Sequence, residues 1–205
     1  MKLTIFGAGG RTGLLTVYQA LDKGHFVTAF TRKASRVTIQ HPKITIKEGD
    51  ILNFQQVKEA VRGQEAVICT LGLIQNKPDT TLSEGTATII RAMKESGVQR
   101  LICMSSAGIL GNDTAWIFGK VIVPLFLRHV FRDKRRQMQL IKESGLDWII
   151  IRPPRLTDAP KTGTYRITLG KPAFRSIPRA DVADFMLKLL TDKKYNRQMP
   201  AIAGY

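Results

Sequence analysis

Short apolar stretches alternate with amphipathic ones from residue 2 to residue 152, and this alternation predicts strands and helices in turn. The six predicted strands are residues 2–6, 25–30, 44–47, 65–70, 100–104 and 147–152. The four predicted helices between them are residues 14–23, 54–61, 81–96 and 134–144. Because strands that alternate with helices form a parallel sheet with right-handed crossovers, we expect an α/β fold with a doubly wound parallel sheet and helices on both faces.

The pattern changes at Pro153, because proline cannot donate to a strand ladder. Beyond it the sequence predicts a loop-rich stretch, a candidate strand, a helix and a short last strand, at residues 155–174, 162–168, 177–190 and 199–203. Neither a repeat nor a linker interrupts the 205 residues. We expect one domain over residues 1–205, with a small C-terminal region on the substrate side at about 153–205.

A glycine-rich turn joins the first strand to the first helix. The segment Gly-Ala-Gly-Gly-Arg-Thr-Gly occupies residues 7–13, between the strand and the helix. Glycines allow a tight turn and a close approach to a pyrophosphate, and the N-terminus of a helix attracts an anion. A glycine pattern alone is weak evidence, but the strand before it and the helix after it favour a phosphate cradle over an ordinary turn.

Basic residues follow the second strand, where dinucleotide folds that prefer NAD carry a carboxylate for the ribose 2′-hydroxyl. This chain has Arg32, Lys33 and Arg36 at that point, and the loop contains no carboxylate. Arginine pairs with phosphate oxygens through its planar fork. The pattern favours a site for the 2′-phosphate of NADP(H) over an exposed basic loop.

Two more positions at strand ends are expected to lie at the cofactor crevice. Asp50 follows the third strand and could accept a hydrogen bond from the adenine amino group, or could cap the helix at 54–61. Gly72 follows the fourth strand, where a glycine lets the chain pass close to a cofactor.

The chain is strongly basic, with 32 lysines and arginines against 16 acidic residues and a net charge of +16. The densest basic segment is residues 128–136, where Asp133 is the one acidic residue. It contains no helix-turn-helix, zinc-finger or aromatic–basic pattern, so a nucleic-acid partner is not expected. We interpret the segment as a solvated face or as a funnel for an anionic small-molecule acceptor.

The stretch from 116 to 131 is the most apolar part of the chain. Lys120, Pro124 and Arg128 interrupt it, so it does not predict a transmembrane segment. It could line a substrate pocket or form a dimer or membrane-surface patch; we favour the pocket wall. Cys69 and Cys103 lie in predicted strands and suit reduced thiols. With no signal pattern at the N-terminus, the expected location is cytoplasmic, and no metal motif is present.

Several segments resemble one family over nearly the whole chain. The glycine turn resembles the G-x-x-G-x-x-G loop of extended and atypical short-chain dehydrogenases. The segments that look like the atypical group, which contains NmrA-like proteins and flavin reductases, are residues 21–29, 48–51, 83–86, 92–98, 144–154, 163–165 and 177–185. The resemblance implies a Rossmann fold and bound NADP(H).

The resemblance also implies roles for individual residues. Those expected at the phosphates are Gly7, Gly10, Arg11, Thr12 and Gly13. Those expected at the 2′-phosphate, the adenine and the ribose are Arg32, Arg36, Asp50, Ile51, Leu71 and Gly72. Ser105, Ser106 and Pro153 are expected near the nicotinamide, and Ser106 is the candidate hydrogen-bond donor to the acceptor or to the nicotinamide amide; its alternative role is to close the turn after the fifth strand.

The chain departs from the family at the catalytic dyad. Ordinary members use Tyr-x-x-x-Lys, which no tyrosine of this chain provides; Phe131-x-x-x-Arg135 lies at a plausible distance but has no proton to give. Arg155 stands where flavin reductases have a histidine, and could attract an anionic substrate.

Two functions fit this departure. The first is an NADPH-dependent reductase of a planar acceptor such as a flavin, quinone or tetrapyrrole, which accepts a hydride directly and needs no dedicated acid. The second is a non-catalytic NADP(H) sensor that acts through a protein partner.

Overall fold

The computed structural model describes residues 1–72, 79–110, 127–171 and 175–205. The ten strands of this part of the chain are β1 (Lys2–Phe6), β2 (Phe26–Thr31), β3 (Ile44–Glu48), β4 (Ala66–Cys69), β5 (Arg100–Met104), β6 (Asp147–Ile151), β7 (Leu156–Thr157), β8 (Arg166–Thr168), β9 (Ile177–Pro178) and β10 (Ala201–Ala203). The five α-helices are α1 (Arg11–Asp22), α2 (Phe54–Val61), α3 (Thr81–Glu95), α4 (Arg128–Glu143) and α5 (Arg179–Lys188).

The central sheet has six parallel strands in the order β3-β2-β1-β4-β5-β6. This is the doubly wound order, in which β2 and β3 are added on one side of β1 and the last three strands on the other. A crevice opens at the carboxyl ends of β1 and β4, where the strand order reverses. The expected Rossmann-type fold is therefore confirmed. Two small pairs, β8 with β10 and β7 with β9, lie beyond β6.

The core has one layer on each face of the sheet. Helices α1 and α5 pack on one face, around buried Leu3, Ile5, Val17 and Phe185. Helices α2, α3 and α4 cover the other face, around buried Phe6, Ile89 and Trp148 and the two cysteines. Both faces of β1, β2, β4, β5 and β6 are thus largely buried, which explains the apolar runs of these five strands, whereas the edge strand β3 is only partly buried.

Several predicted element bounds are corrected. Helix α1 begins at Arg11 rather than residue 14, because the end of the glycine turn is already helical. Helix α4 begins at Arg128, six residues before the predicted start, although its first turns are rich in charge. Of the candidate strand at 162–168 only β8 is extended, and the two residues before α5 pair with β7 instead of starting the helix. Most of the apolar 116–131 stretch lies outside the described residues.

Two further expectations can be compared with the structure. Cys69 and Cys103 are buried free thiols inside β4 and β5, as predicted. Among the described helices, none is both long and apolar enough to cross a membrane.

Candidate functional site

The glycine turn folds back on itself at the carboxyl end of β1. The amide of Gly10 donates to the carbonyl oxygen of Gly7 at 2.9 Å, and Gly7 has a φ of +80°. The hydroxyl of Thr70, at the end of β4, donates to the carbonyl oxygen of Phe6 at 2.9 Å and lies 3.2 Å from that of Gly7. A side chain on Gly13 would overlap this arrangement, since its Cβ would lie 2.7 Å from Thr70 Oγ1. The turn therefore requires glycine for its own packing, and the same lack of side chains leaves its outer surface open to a phosphate.

The N-terminus of α1 is uncapped. Gly10 occupies the N-cap position, no side chain caps it, and the first turn contains no acidic residue. The amides of residues 11–13 consequently have no intrahelical acceptor, and α1 adds a partial positive charge there. This geometry fits a pyrophosphate, and Gly10, Thr12 and Gly13, which are predicted to contact it, lie at this N-terminus.

Arg11 also lies at this N-terminus, but its side chain is already engaged. Its guanidinium bonds Asp158, which also accepts from Arg179 Nη1 at 2.6 Å. The hydrogen bond from Arg11 and the charges of both arginines lower the pKa of the Asp158 carboxyl below its ordinary value. Sequence reasoning missed Asp158 and Arg179, because the loop after β6 meets α1 only in three dimensions.

The basic loop after β2 lies directly against the glycine turn. A Cβ on Gly9 would lie 2.6 Å from Thr31 Oγ1 and 3.0 Å from Arg36 Cβ. The side chains of Arg32 and Arg36 are exposed there. One expectation needs correction: the loop itself has no carboxylate, yet Glu48 of β3 reaches it and accepts from the Ala34 amide at 2.7 Å. Register explains this approach, because Glu48 pairs with Thr31 in the sheet.

At the position predicted to face the adenine, Asp50 does not cap α2. Asn53 is the N-cap residue, and its side chain accepts from the Gln56 amide at 3.2 Å. Asp50 lies too early in the chain to reach that turn; its carboxylate accepts from the Leu52 amide at 3.0 Å and remains exposed. The neighbouring Ile51 is buried against α3, where a Cβ on Gly85 would lie 2.8 Å from it.

The ends of β4, β5 and β6 form the edge at which the nicotinamide is expected. Leu71 is partly buried, and Gly72 faces open space, because nothing lies within 4 Å of the point that a Cβ would occupy there. The β5–β6 pairing continues past the strands, because the Ser105 amide donates to Ile151 and the Ala107 amide to Pro153 at 2.8 and 2.7 Å. This pairing brings the two serines and Pro153 together.

Ser105 and Ser106 are the distinctive polar groups of that edge. Both hydroxyl oxygens are buried, and neither has a hydrogen-bond partner within the described ranges. A buried hydroxyl without a partner costs about 1–3 kcal/mol, so such groups mark a place where a ligand can supply the missing partner. The glycine turn, the uncapped helix and these hydroxyls all fit a dinucleotide laid across the crevice.

Helix α4 carries the basic segment, but two of its residues do not belong to the exposed face. Asp133 is buried and accepts from the amides of Leu82 and Ser83 at 3.1 and 3.3 Å, so it caps α3. Lys134 is partly buried and turned toward the sheet. Arg132, Arg135 and Arg136 remain on the solvent side. Which of these charged residues face inward and which face solvent depends on how α4, which begins at Arg128, is rotated against the core.

A tyrosine and a lysine do meet in the fold, although no sequence motif joins them. Tyr165 Oη accepts from Lys188 Nζ at 3.1 Å and lies 3.2 Å from Asp184. Burial first, and the charge of Asp184, raise the pKa of Tyr165, whereas a catalytic tyrosine needs a lowered one. Lys188 is the last residue of α5. Arg179, at the opposite end of the same helix, is the residue that bonds Asp158 beside the N-terminus of α1, so the tyrosine–lysine pair lies away from the phosphate site. This pair is therefore structural.

Arg152 is a buried charged residue that the sequence pattern assigned to the end of the sixth predicted strand without indicating a role. It is fully buried at the end of β6, and its guanidinium donates to the carbonyl oxygens of Met199, Leu169 and Gly170 at 2.8, 3.2 and 3.1 Å. These bonds join the C-terminal elements to the central sheet. Arg155, two residues beyond Pro153, is exposed. No three metal-binding side chains converge in the described part of the chain.

Comparison with known proteins agrees with this geometry. A family model described as NAD(P)H-binding matches residues 7–193. The uncharacterized sugar epimerase YhfK of Bacillus subtilis is 29% identical, over 94% of this chain and 89% of its own.

Two solved structures share the fold. The anaerobillin reductase ChuY of Escherichia coli O157:H7 has a TM-score of 0.84 at 24% identity and covers 99% of this chain and 97% of its own. A wide-type short-chain dehydrogenase/reductase of Veillonella parvula, solved in complex with NADP, has a TM-score of 0.84 at 21% identity and covers 98% and 94%. Because the family match spans nearly the whole chain, this protein belongs to the NAD(P)H-binding family, and the family resemblance predicted from the sequence is confirmed at that level.

Proposed function

We propose that the protein is an NADPH-dependent reductase that transfers a hydride to a planar acceptor such as a flavin, a quinone or a tetrapyrrole. The observation that carries this proposal is the pair of buried, unpartnered hydroxyls of Ser105 and Ser106 beside Pro153, within the described part of the crevice. A carbonyl of the acceptor and the amide of the nicotinamide are groups that would satisfy them. The bound cofactor supplies the hydride; the chain holds both partners and limits the access of water.

The choice of acceptor follows from what α4 lacks. Phe131, which lies at a plausible distance along the chain for the tyrosine of ordinary short-chain dehydrogenases, is buried and has no hydroxyl. An alcohol or ketone substrate needs an acid or base held against its oxygen, whereas a conjugated acceptor delocalises the charge that the hydride brings. The neighbour named as an anaerobillin reductase is a reason to include linear tetrapyrroles in the assay.

The preference for NADPH is supported by Arg32 and Arg36, which are exposed beside the glycine turn. Glu48 is the nearby carboxylate, and one of its oxygens accepts from the Ala34 amide, which offsets part of its charge. Two exposed guanidinium groups outweigh this single tethered charge.

A two-step experiment tests the function. The purified protein is first titrated with NADPH and with NADH, and binding is followed by the fluorescence of the reduced nicotinamide. FMN, menadione or biliverdin is then added, and oxidation of NADPH is followed by the absorbance of the reduced nicotinamide. We expect tighter binding of NADPH, followed by its oxidation. The double variant Ser105→Ala, Ser106→Ala should keep binding and lose most of the oxidation, and Ser96→Ala at the end of α3 serves as its control.

Tight binding without oxidation of NADPH by any acceptor would contradict the reductase and support the sensor. In that event, reversing the charges of Arg132, Arg135 and Arg136 should abolish capture of a partner protein and leave cofactor affinity unchanged. No binding of either cofactor would contradict the assignment of the glycine turn.

A further inference from the structure

A cavity of about 420 Å³ opens beside the C-terminal end of α5, and a volume of this size is typical of a small-molecule site. Four aromatic side chains and two lysines contribute to its lining: Tyr165, Phe185, Tyr195, Tyr205, Lys188 and Lys194. Arg179, which bonds Asp158 beside the N-terminus of α1, lies at the opposite end of α5. Since α5 is ten residues long, about 15 Å separates the cavity from the residues at the phosphate site.

Three packed rings form an aromatic wall of this cavity. Phe185 is 3% exposed, and the rings of Tyr165 and Tyr195 meet it edge-to-face, with their centroids 5.6 and 6.1 Å from its own. Both tyrosines are partly buried, so each packs on Phe185 and also lines the cavity. Rings held in this way offer a rigid apolar surface to the flat face of a ligand.

Two ammonium groups lie at the edges of the aromatic wall. Lys188 Nζ is 5.2 Å from the ring centroid of Tyr165, and Lys194 Nζ is 5.4 Å from that of Tyr195. Both lysines are exposed. Each ammonium therefore lies over a ring of the wall and remains accessible to an acidic group on a ligand that stacks there.

The charge of Lys188 belongs to a cluster that holds more cations than anions. The buried carboxylate of Asp184 accepts from Lys161 and Lys188 at 2.7 Å each, and Lys23 Nζ lies 3.9 Å from it. One carboxylate cannot neutralise three lysines, so the cluster keeps an excess of positive charge at the cavity. The hydrogen bond to Asp184 also raises the pKa of Lys188 above its ordinary value, which keeps this lysine charged.

The rest of the lining does not cancel this positive charge. Asp192 is the one acidic side chain among the described lining residues, and its Oδ1 accepts from the Lys194 amide at 2.8 Å, which fixes it within the turn. An adjoining cavity of about 500 Å³ shares Tyr165 with the first and adds Arg166 and Lys171, with no acidic side chain in its described lining. The charge of this surface therefore complements an anion.

We propose that the cavity at the end of α5 is a second binding site, which takes a flat aromatic ligand that carries a phosphate or carboxylate group. The ring stacks on the aromatic wall, and the acidic group lies between Lys188 and Lys194. Because the cavity is at the far end of α5 from the phosphate site, this ligand and a dinucleotide can be bound at the same time. The proposal does not depend on the reductase activity.

The first test measures which parts of a ligand are needed. Naphthyl phosphate is the probe, and isothermal titration calorimetry compares it with inorganic phosphate, which lacks the ring, and with naphthalenemethanol, which lacks the charge. We expect the probe to bind at least about tenfold more tightly than either fragment, because it alone uses the rings and the lysines together. Absence of binding at a millimolar concentration, or equal affinity for one of the fragments, would overturn the proposal.

The second test locates the bound probe. Lys194→Glu replaces an attraction by a repulsion and should weaken naphthyl phosphate by about 2–30-fold. Lys193→Glu changes the net charge equally at the neighbouring exposed position outside the lining, and should weaken it by less than about twofold.

Two outcomes of this comparison would overturn the site. Equal losses in both variants would mean that the probe responds only to the general charge of the surface. Unchanged affinity in Lys194→Glu would place the probe elsewhere, for example at the N-terminus of α1, which is farther from Lys194 than salt lets a charge act.

Discussion

A methyl group on Gly13 would overlap the carbonyl oxygen of Gly7, six residues earlier in the chain. The two residues lie at opposite ends of the glycine turn, and the hydroxyl of Thr70 lies beside both. The first turn of α1 can therefore sit against the end of β1 only while residue 13 has no side chain. This close packing keeps the helix N-terminus aimed at the crevice.

Gly13→Ala should disrupt both the turn and the cofactor site. We expect a loss of about 1–3 kcal/mol in the free energy of unfolding, from overpacking, and a large loss of NADPH affinity. Urea denaturation and the fluorescence titration measure the two effects. Gly170→Ala is the control, because its Cβ would meet Thr168 Oγ1 at an ordinary 3.6 Å. Unchanged NADPH affinity in Gly13→Ala would contradict a phosphate cradle at this turn.

Gly72→Ala should separate stability from binding. Nothing lies within 4 Å of the added Cβ, so the melting temperature should stay within about 1 °C of the wild type. If the cofactor passes this point, the same methyl group should weaken NADPH binding severalfold. Differential scanning fluorimetry, with and without NADPH, measures both quantities. A variant that binds NADPH as well as the wild type would show that the ribose lies elsewhere.

Arg32→Gln combined with Arg36→Gln should change the cofactor preference. Because both arginines are exposed, we expect the pair to contribute about 1.4–2.8 kcal/mol, so NADPH affinity should fall about 10–100-fold while NADH affinity changes little. Both affinities are read from the fluorescence titration. Arg62→Gln, an exposed arginine that ends α2, is the control for net charge. Equal losses for NADPH and NADH would place the two arginines away from the 2′-phosphate.

Asp158→Asn should raise cofactor affinity. In the free protein this carboxylate holds Arg11 and Arg179 at the mouth of the phosphate site, and a pyrophosphate must compete with it. An exposed ion pair is worth about 0.2–1 kcal/mol, so NADPH affinity should rise by about 1.4–5-fold at low salt and less at high salt. Asp22→Asn, an exposed acid at the end of α1, is the comparison. Weaker binding would mean that Asp158 instead orients Arg11 toward the phosphates.

Lys134→Met should stabilise the protein near neutral pH. The folded pKa, about 8, lies below that of an unfolded lysine, so the unfolded chain binds more protons between those values. The unfolding free energy of the wild type therefore rises as pH increases through this window and is reduced below it. The methionine variant should be more stable by about 1–3 kcal/mol at pH 7, and the difference should shrink toward pH 10. Urea denaturation at both pH values measures it. An equal difference at both would contradict a lowered pKa.

The central sheet could be predicted because most of its strands are buried on both faces, which leaves short, continuous apolar runs. Five of the six strands stand out in this way, β3 alternates apolar and polar residues instead, and the predicted bounds of β5 agree with the observed ones. The start of α4 could not be predicted, because its first turns carry five basic residues, and the contact of Asp133 with the start of α3 is made only in the tertiary structure. The loop-rich region after Pro153 was equally hard, since its short strands pair only with distant segments.

The candidate site could likewise be predicted only in part. The glycine turn and the basic loop after β2 are local patterns, and the structure places them side by side. Asp50 was one candidate for the cap of α2, but the cap is Asn53, a choice that depends on where the first helical turn begins. Nothing in the sequence indicated a role for Asp158 or Arg179, because the ion pair with Arg11 joins residues more than a hundred positions apart.

The sequence by itself determined the sheet, the phosphate turn and the family, because each depends on residues that are neighbours along the chain. Tertiary structure decided which polar groups are left without partners and which charges meet. Only the packing of α4 against α3 and the sheet leaves Lys134 partly buried, and only the sheet register brings Glu48 to the basic loop. Burial and pairing are properties of contacts between distant segments, and those contacts control the electrostatics of this site.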